Sequence, residues 1–173
     1  AEYLWELVND VLELSRIESG NMSFHCEDCS AHHFAETVYQ THQVIILPPV
    51  EFIKEFPDED VTIHIDRMRL TQVITNFLGN AKKFTSQGHI KLGYFCDKEK
   101  KEIHFFVEDT GAGIPKEELQ MIFERFYKRN EFVQGVGLGL AISKVIVEKM
   151  NGHIDVQSEV NKGSRFTAVL PYL

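Results

Sequence analysis

Asp109-Thr110-Gly111-Ala112-Gly113-Ile114 follows the hydrophobic run Ile103 to Val107, and its reading decides the rest of the chain. A carboxylate at a strand end, followed at once by a glycine turn, sets a charged acceptor beside backbone that lacks Cβ atoms. Downstream comes a second glycine loop, Gly135-Val136-Gly137-Leu138-Gly139-Leu140, which opens a helix. Upstream lies Asn76-Phe77-Leu78-Gly79-Asn80-Ala81, with two carboxamides one helical turn apart. Each stretch alone has an ordinary structural reading. In this order and spacing they make a nucleotide site.

The residue types give each stretch its chemistry. Asp109 can accept a hydrogen bond from the exocyclic amine of adenine. Guanine presents a carbonyl there, and two facing acceptors would leave a buried carboxylate unpaired. Gly111 and Gly113 leave room for a base plane, with Ile114 next in the stretch. Asn76 and Asn80 share one helix face, and an amide in a mostly apolar helix is costly unless it finds a partner. A Mg²⁺ ion held mainly by phosphates and water, with one carbonyl ligand from the protein, supplies that partner. Lys83 can reach toward phosphate from the end of the same helix. Gly135, Gly137 and Gly139 expose amides where a helix begins, an anion site by geometry and dipole. A P-loop is excluded because Leu140-Ala141 follows Gly139 in place of Lys-Ser/Thr. A dinucleotide fingerprint is excluded because Leu140 stands where glycine is required.

The bulk numbers agree. The chain has 173 residues, 43% hydrophobic and 25% charged, which suits one domain with a full core plus an appended element. A net charge of −8 argues against a nucleic-acid partner. Three cysteines are too few for a disulfide scaffold and fit a reducing compartment, and Cys26-Glu27-Asp28-Cys29 has no second pair with which to hold zinc. Val44-Ile45-Ile46-Leu47 ends at Pro48-Pro49 and cannot span a bilayer. No membrane contact is expected of these residues. The chain begins inside an apolar helical pattern, as a piece of something longer would.

Periodicity sets the expected elements. Leu4, Leu7, Val11 and Leu14 form an amphipathic stripe that ends at Ser19-Gly20-Asn21. Strands are expected at Met22 to Phe24, Val50 to Ile53, Val61 to Ile65, His89 to Phe95, Ile103 to Val107, Ile154 to Gln157 and Arg165 to Leu170. Helices are expected at Ala31 to His42, from an Asp66 cap to Lys83, at Lys116 to Phe126 and at Leu138 to Met150. That order predicts an α+β two-layer sandwich, a mixed sheet with helices on one face, preceded by the amphipathic helix.

Together these features resemble the catalytic, ATP-binding domain of a sensor histidine kinase, within the GHKL ATPase and kinase superfamily. Leu70 to Thr85 is similar to its N box, Asp109 to Ile114 to its G1 box, Phe123-Glu124-Arg125-Phe126 to its F box, and Gly135 to Leu140 to its G2 box. Gly163-Ser164-Arg165-Phe166 is similar to the family's G-[ST]-x-F, and Val11 to Gly20 to the end of a second dimerisation helix. The resemblance implies that 1–20 are the tail of that helix and its hinge, and 21–173 the catalytic domain. It implies ATP and Mg²⁺ as ligands, with Asn80 on the metal, Asn76 and Lys83 at the phosphates and Asp109 on adenine. Gly111, Gly113 and Ile114 would line the base, and Ser164 would lie close by. Gly135, Gly137, Leu138, Gly139 and Leu140 would border the phosphates. Phe126 would anchor a mobile lid over Tyr127 to Gln134, with Lys128 and Arg129 offered to phosphate.

The family's H box is absent. None of His25, His32, His33, His42, His64, His89, His104 or His153 has the required flanks, so the acceptor histidine is expected outside this chain. Expected partners are a dimerisation and histidine-phosphotransfer domain of the same protein, a response-regulator receiver domain and, in the full-length protein, a second copy. A cytoplasmic location is expected, as the cytosolic part of a membrane-anchored sensor. Two other readings stay open. The superfamily's ATPases carry a glutamate base four residues before the metal asparagine; here that position is Asn76, and an amide cannot take a proton from water. A nucleotide-sensing scaffold without turnover would bind ATP and transfer nothing.

Overall fold

The computed structural model describes residues 2–128 and 137–172. The expected sandwich is present. Its elements run α1 (Glu2–Glu18), β1 (Glu27–Ser30), α2 (Ala31–Gln43), β2 (Val50–Glu55), β3 (Thr62–Ile65), α3 (Arg67–Phe84), β4 (Gly88–Asp97), β5 (Glu102–Asp109), α4 (Gly139–Lys149), β6 (His153–Glu159) and β7 (Gly163–Pro171). Five strands form a mixed sheet in the order β2-β4-β5-β7-β6, in which β2 and β4 run parallel and the other neighbours antiparallel. β1 and β3 make a separate antiparallel ladder.

Alternation along the strands sorts the two faces of the sheet. Ile90, Leu92, Ile103, Phe105 and Val107 are buried under the helices, with Phe34 of α2 edge-on to Phe105 at 5.3 Å. Phe77 of α3 meets Phe166 of β7 at 5.4 Å. The opposite face carries charge: Glu108 of β5 lies 3.7 Å from Lys91 and 3.4 Å from Arg165. Arg165 also covers the Phe106 ring at 4.0 Å, so a phenylalanine on the open face is still buried.

Helix starts follow local capping chemistry. Ser30 caps α2 by accepting the His33 N–H, and Asp66 caps α3 by accepting the Arg69 N–H at 3.1 Å. Leu70, Val73, Ile74, Phe77 and Leu78 then form the buried face of α3, as their spacing predicts.

Two expectations need correction. Met22 to Phe24 is not a strand: Met22 anchors the core as a buried side chain, and the pairing starts at Glu27, where β1 meets β3. Lys116 to Phe126 is not an α-helix. It holds one 3₁₀ turn, Lys116–Glu118, then successive turns whose N–H groups reach back three residues, as Met121 to Glu118 and Glu124 to Met121. Phe126, at φ 64°, cannot continue a right-handed helix, and its N–H bonds to the Gly137 carbonyl.

The apolar stripe of α1 is only partly covered. Its inward side is Leu7, Asp10, Leu14 and Ile17, whereas Leu4 and Val11 of the expected stripe are exposed with Trp5, Val8 and Leu12. The steps of three and four are those of one helix face, rotated from the apolar stripe so that an aspartate sits in the seam. Among the described residues, no helix is long and apolar enough to cross a membrane.

Candidate functional site

The helical layer and the sheet part between α3 and α4 to leave a cavity of about 400 Å³. α3 contributes Asn76, Asn80 and Lys83, each one turn or less from the next. The β5 end and the loop after it add Asp109, Gly113 and Ile114, and β7 adds Ser164. Lys128, Gly137, Gly139 and Leu140 complete the side nearest α4. Widely separated stretches of sequence thus meet around one space.

Asp109 is 7% exposed and ends β5 opposite Ser164 in the β5–β7 register. Its Oδ1 accepts the Gly111 N–H at 2.9 Å, which closes the turn. Burial lifts its carboxyl above the ordinary carboxylate value, opposed by the backbone N–H groups of Gly111 and Ser164. The Thr85 hydroxyl is near enough to favour the charge as well, yet it is buried and completes no hydrogen bond.

The glycines of this end are required by the protein's own backbone. A Cβ on Gly111 would lie 2.3 Å from the Phe84 carbonyl oxygen. Gly113 holds φ 72°, and a Cβ there would lie 2.0 Å from the Glu159 carbonyl oxygen. Hydrogen bonds run through the same packing: Ala112 to Phe84, Asn161 to Ala112, and the Ile114 N–H to Ser158 Oγ at 2.7 Å. Ser158 Oγ gives its one proton to the Gly163 carbonyl, so Ser164 is the donor in the 2.8 Å contact between the two hydroxyls.

At the other end, Asn76 Nδ2 donates to Ser143 Oγ of α4 at 3.1 Å. A Cβ on Gly139 would come within 2.2 Å of Asn76 Oδ1, so the amide packs directly on the first residue of α4. Leu138, fully buried, precedes α4 without a side-chain cap, which leaves the first amides of the helix to other acceptors. Gly137 stands at φ 77° and receives the Phe126 N–H on its carbonyl at 2.9 Å.

Gly111, Phe126 and Leu138 do not line the cavity: Gly111 is packed on Phe84, Phe126 is 56% exposed, and Leu138 points into the core. Arg129, Gly135 and most of the expected lid, 129–134, lie outside the described residues.

Residue types on the wall fit a nucleotide and its metal. The α3 side offers hard oxygen donors, the carboxamides of Asn76 and Asn80 and the hydroxyl of Thr75, of the kind Mg²⁺ selects. Lys83 adds a cation, and the uncapped start of α4 adds a positive dipole end.

The comparisons with known proteins agree with this geometry. The family described as "Histidine kinase-, DNA gyrase B-, and HSP90-like ATPase" matches residues 65–173. This chain belongs to that family. Sensor histidine kinase WalK of Bacillus subtilis is 35% identical over 176 residues, covering 99% of this chain and 29% of WalK. Sensor histidine kinase RcsC of Salmonella typhimurium is 36% identical over 174 residues, covering 97% of this chain and 18% of RcsC. The chain therefore spans less than a third of either relative. Full-length ShkA, solved in complex with AMPPNP, is 29% identical with a TM-score of 0.89, covering 98% of this chain and 36% of ShkA.

Around this cavity the sequence pointed to residues of the glycine and asparagine stretches and not to others. Thr75, Ile122 and Ser143 carried no separable signal, since each fits an ordinary helix or turn. Glu6 and Asp10 of α1 also line the cavity, from an element outside the glycine and asparagine stretches. Asp10 did leave a signal. It interrupts the series Leu7, Leu14, Ile17, where an apolar residue would continue the face. Burial, with Glu6 and Glu13 adding repulsion, pushes its carboxyl up to about 6, while Lys83 pulls the other way.

Proposed function

We propose that this chain is the ATP-binding catalytic part of a two-component sensor histidine kinase and transfers the γ-phosphoryl group of Mg-ATP to a histidine on a dimerisation domain. The observation that carries the reading is the identity of the α3 side chains on the cavity wall: Asn76 and Asn80 one turn apart, followed by Lys83. Where the superfamily's ATPases keep a glutamate base, this wall presents an amide already engaged with Ser143. An imidazole nucleophile has its own lone pair and needs positioning more than deprotonation, so phosphoryl transfer to histidine is the chemistry this wall suits.

In this reading Asp109 holds the adenine amine, with Ile114 against the base and Gly111, Gly113 and Ser164 shaping that end. Asn80 offers its carbonyl oxygen to Mg²⁺, and the ion, when bound, neutralises charge on the phosphates. Lys83 and Lys128 hold phosphate oxygens, Asn76 keeps α3 and α4 in register beside them, and Gly137, Gly139 and Leu140 border them at the start of α4. Arg129 and Gly135 belong to the same segment of sequence. Residues 1–20 serve as the tail of the dimerisation helix and 21–173 as the catalytic domain. The partners are that dimerisation domain, a second copy of the full protein and a receiver domain, in the cytoplasm.

The test is to incubate the chain with labelled ATP and a dimerisation domain bearing an H box from its own parent protein. An acid-labile, base-stable phosphate on the added domain is the expected result. Label on this chain alone, or free phosphate with no labelled acceptor, overturns the kinase reading.

A further inference from the structure

α1 is the part of the cavity wall that comes from outside the sandwich. Buried Leu14 and half-buried Leu7 and Ile17 seat it on the domain. Glu13 fastens it to the first half of α3, with one carboxylate oxygen 2.6 Å from Arg69 Nη1 and the other 2.6 Å from Gln72 Nε2. Glu18 pairs with Arg125 at its far end. Asp10 and Glu6 lie one and two turns before Glu13. They reach the cavity that Asn76, Asn80 and Lys83 line from the α3 side. The wall facing the polar edge of α3 thus carries two carboxylates, and Asp10 interacts with the charge of Lys83.

We infer that Glu6 and Asp10 are affinity-determining residues of this pocket: with α1 docked, they set negative charge against its phosphate end and weaken nucleotides in proportion to the number of phosphates carried. The inference rests on the nucleotide reading above. A triphosphate entering beside Asn80 has to share Lys83 with half-buried Asp10 and meet Glu6 and Asp10 as like charges across the cavity, where the low-dielectric wall makes Coulomb repulsion exceed its value in open water. Adenosine, seated at the Asp109 end, meets neither. The docked helix is therefore a state of low triphosphate affinity, and a partner that lifts α1 away raises that affinity without touching the site itself.

The experiment is calorimetric titration of the whole chain with adenosine, ADP and ATP in millimolar Mg²⁺, comparing the wild type with the double variant Glu6→Gln/Asp10→Asn. Adenosine affinity should be unchanged, which also shows that the variant is folded. ATP should bind roughly tenfold tighter, the scale of a few like-charge contacts at intermediate dielectric, and ADP should gain less. Equal gains for all three ligands would reveal a packing change and overturn the inference, as would no gain for ATP. Weaker ATP binding would overturn it too, and would make the carboxylates ligands of the nucleotide's cation. A wild type that binds none of the three, adenosine included, removes the nucleotide reading itself.

Discussion

Asn76 of α3 is tied to Ser143 of α4 through its amide nitrogen, 3.1 Å from the hydroxyl oxygen, and packs against Gly139. That hydrogen bond links the two helices that border the cavity. Gly139→Ala should displace that side chain, because its Cβ would come within 2.2 Å of Asn76 Oδ1. The same substitution should cost less in an Asn76→Ala background. Urea unfolding of the two single variants and the double variant should give a coupling above about 0.5 kcal/mol, and strict additivity would show that the amide moves aside freely.

Base selectivity should reside in Asp109. Asp109→Asn keeps an oxygen for the Gly111 N–H, so the turn and the melting temperature should change little. Adenine binding should weaken by about 1–3 kcal/mol, the range for a polar group left with a mismatched partner. Calorimetry with ATP and GTP checks both halves, and a wild-type chain that takes GTP as well as ATP would remove the assignment.

Metal dependence should follow Asn80, whose side chain lines the cavity at the middle of the α3 wall. In Asn80→Ala, ATP affinity with and without Mg²⁺ should converge, while adenosine affinity and the thermal midpoint stay at wild-type values. A variant that still responds fully to Mg²⁺ would move the metal to other donors.

The pH response of α1 should follow Asp10. Its carboxyl titrates at about 6 in the folded chain against 3.8 ordinarily. Between those values the folded state holds a proton that the unfolded chain has released, so this group's contribution to stability falls as pH rises through that window. Asp10→Asn should therefore melt with the wild type at about pH 3.5 and above it from about pH 6.5 upward. Melting curves that differ by a constant amount across a pH series would assign the effect to packing.

Much of this was legible because the informative residues obey local rules. Asp66 caps α3 through a contact three residues long, and the α3 core face repeats at helical spacing, so both could be read from the chain alone. The failures are those where distant residues decide. The strand begins at Glu27 because Thr62 to Ile65 offer it a ladder, and nothing in Met22 to Phe24 carries that information. Lys116 to Phe126 has the composition of a helix, yet Phe126 is held at φ 64° with its N–H on Gly137, eleven residues on. The place of Asp10 on the cavity wall depends on a third kind of information, the surface that α1 faces, which its own sequence does not carry.

The backbone at the Asp109 end has a consequence for how loss of activity would look in a relative. Gly163 sits with its missing Cβ 1.9 Å from the Asp109 carbonyl, Gly113 likewise against Glu159, and Gly111 against Phe84. Those three positions lock the loop after Asp109, the β6–β7 turn and the end of α3 into one interlocked piece. A descendant that had ceased to bind nucleotide would still unfold if it replaced them. Its glycines would persist as mechanical parts, and so would Asp109, whose carboxylate closes the Gly111 turn, while Asn80 and Lys83, which line the cavity from α3, would drift. Intact glycine stretches therefore certify a fold, and the α3 side chains on the cavity wall are the ones whose loss would mark a site out of use.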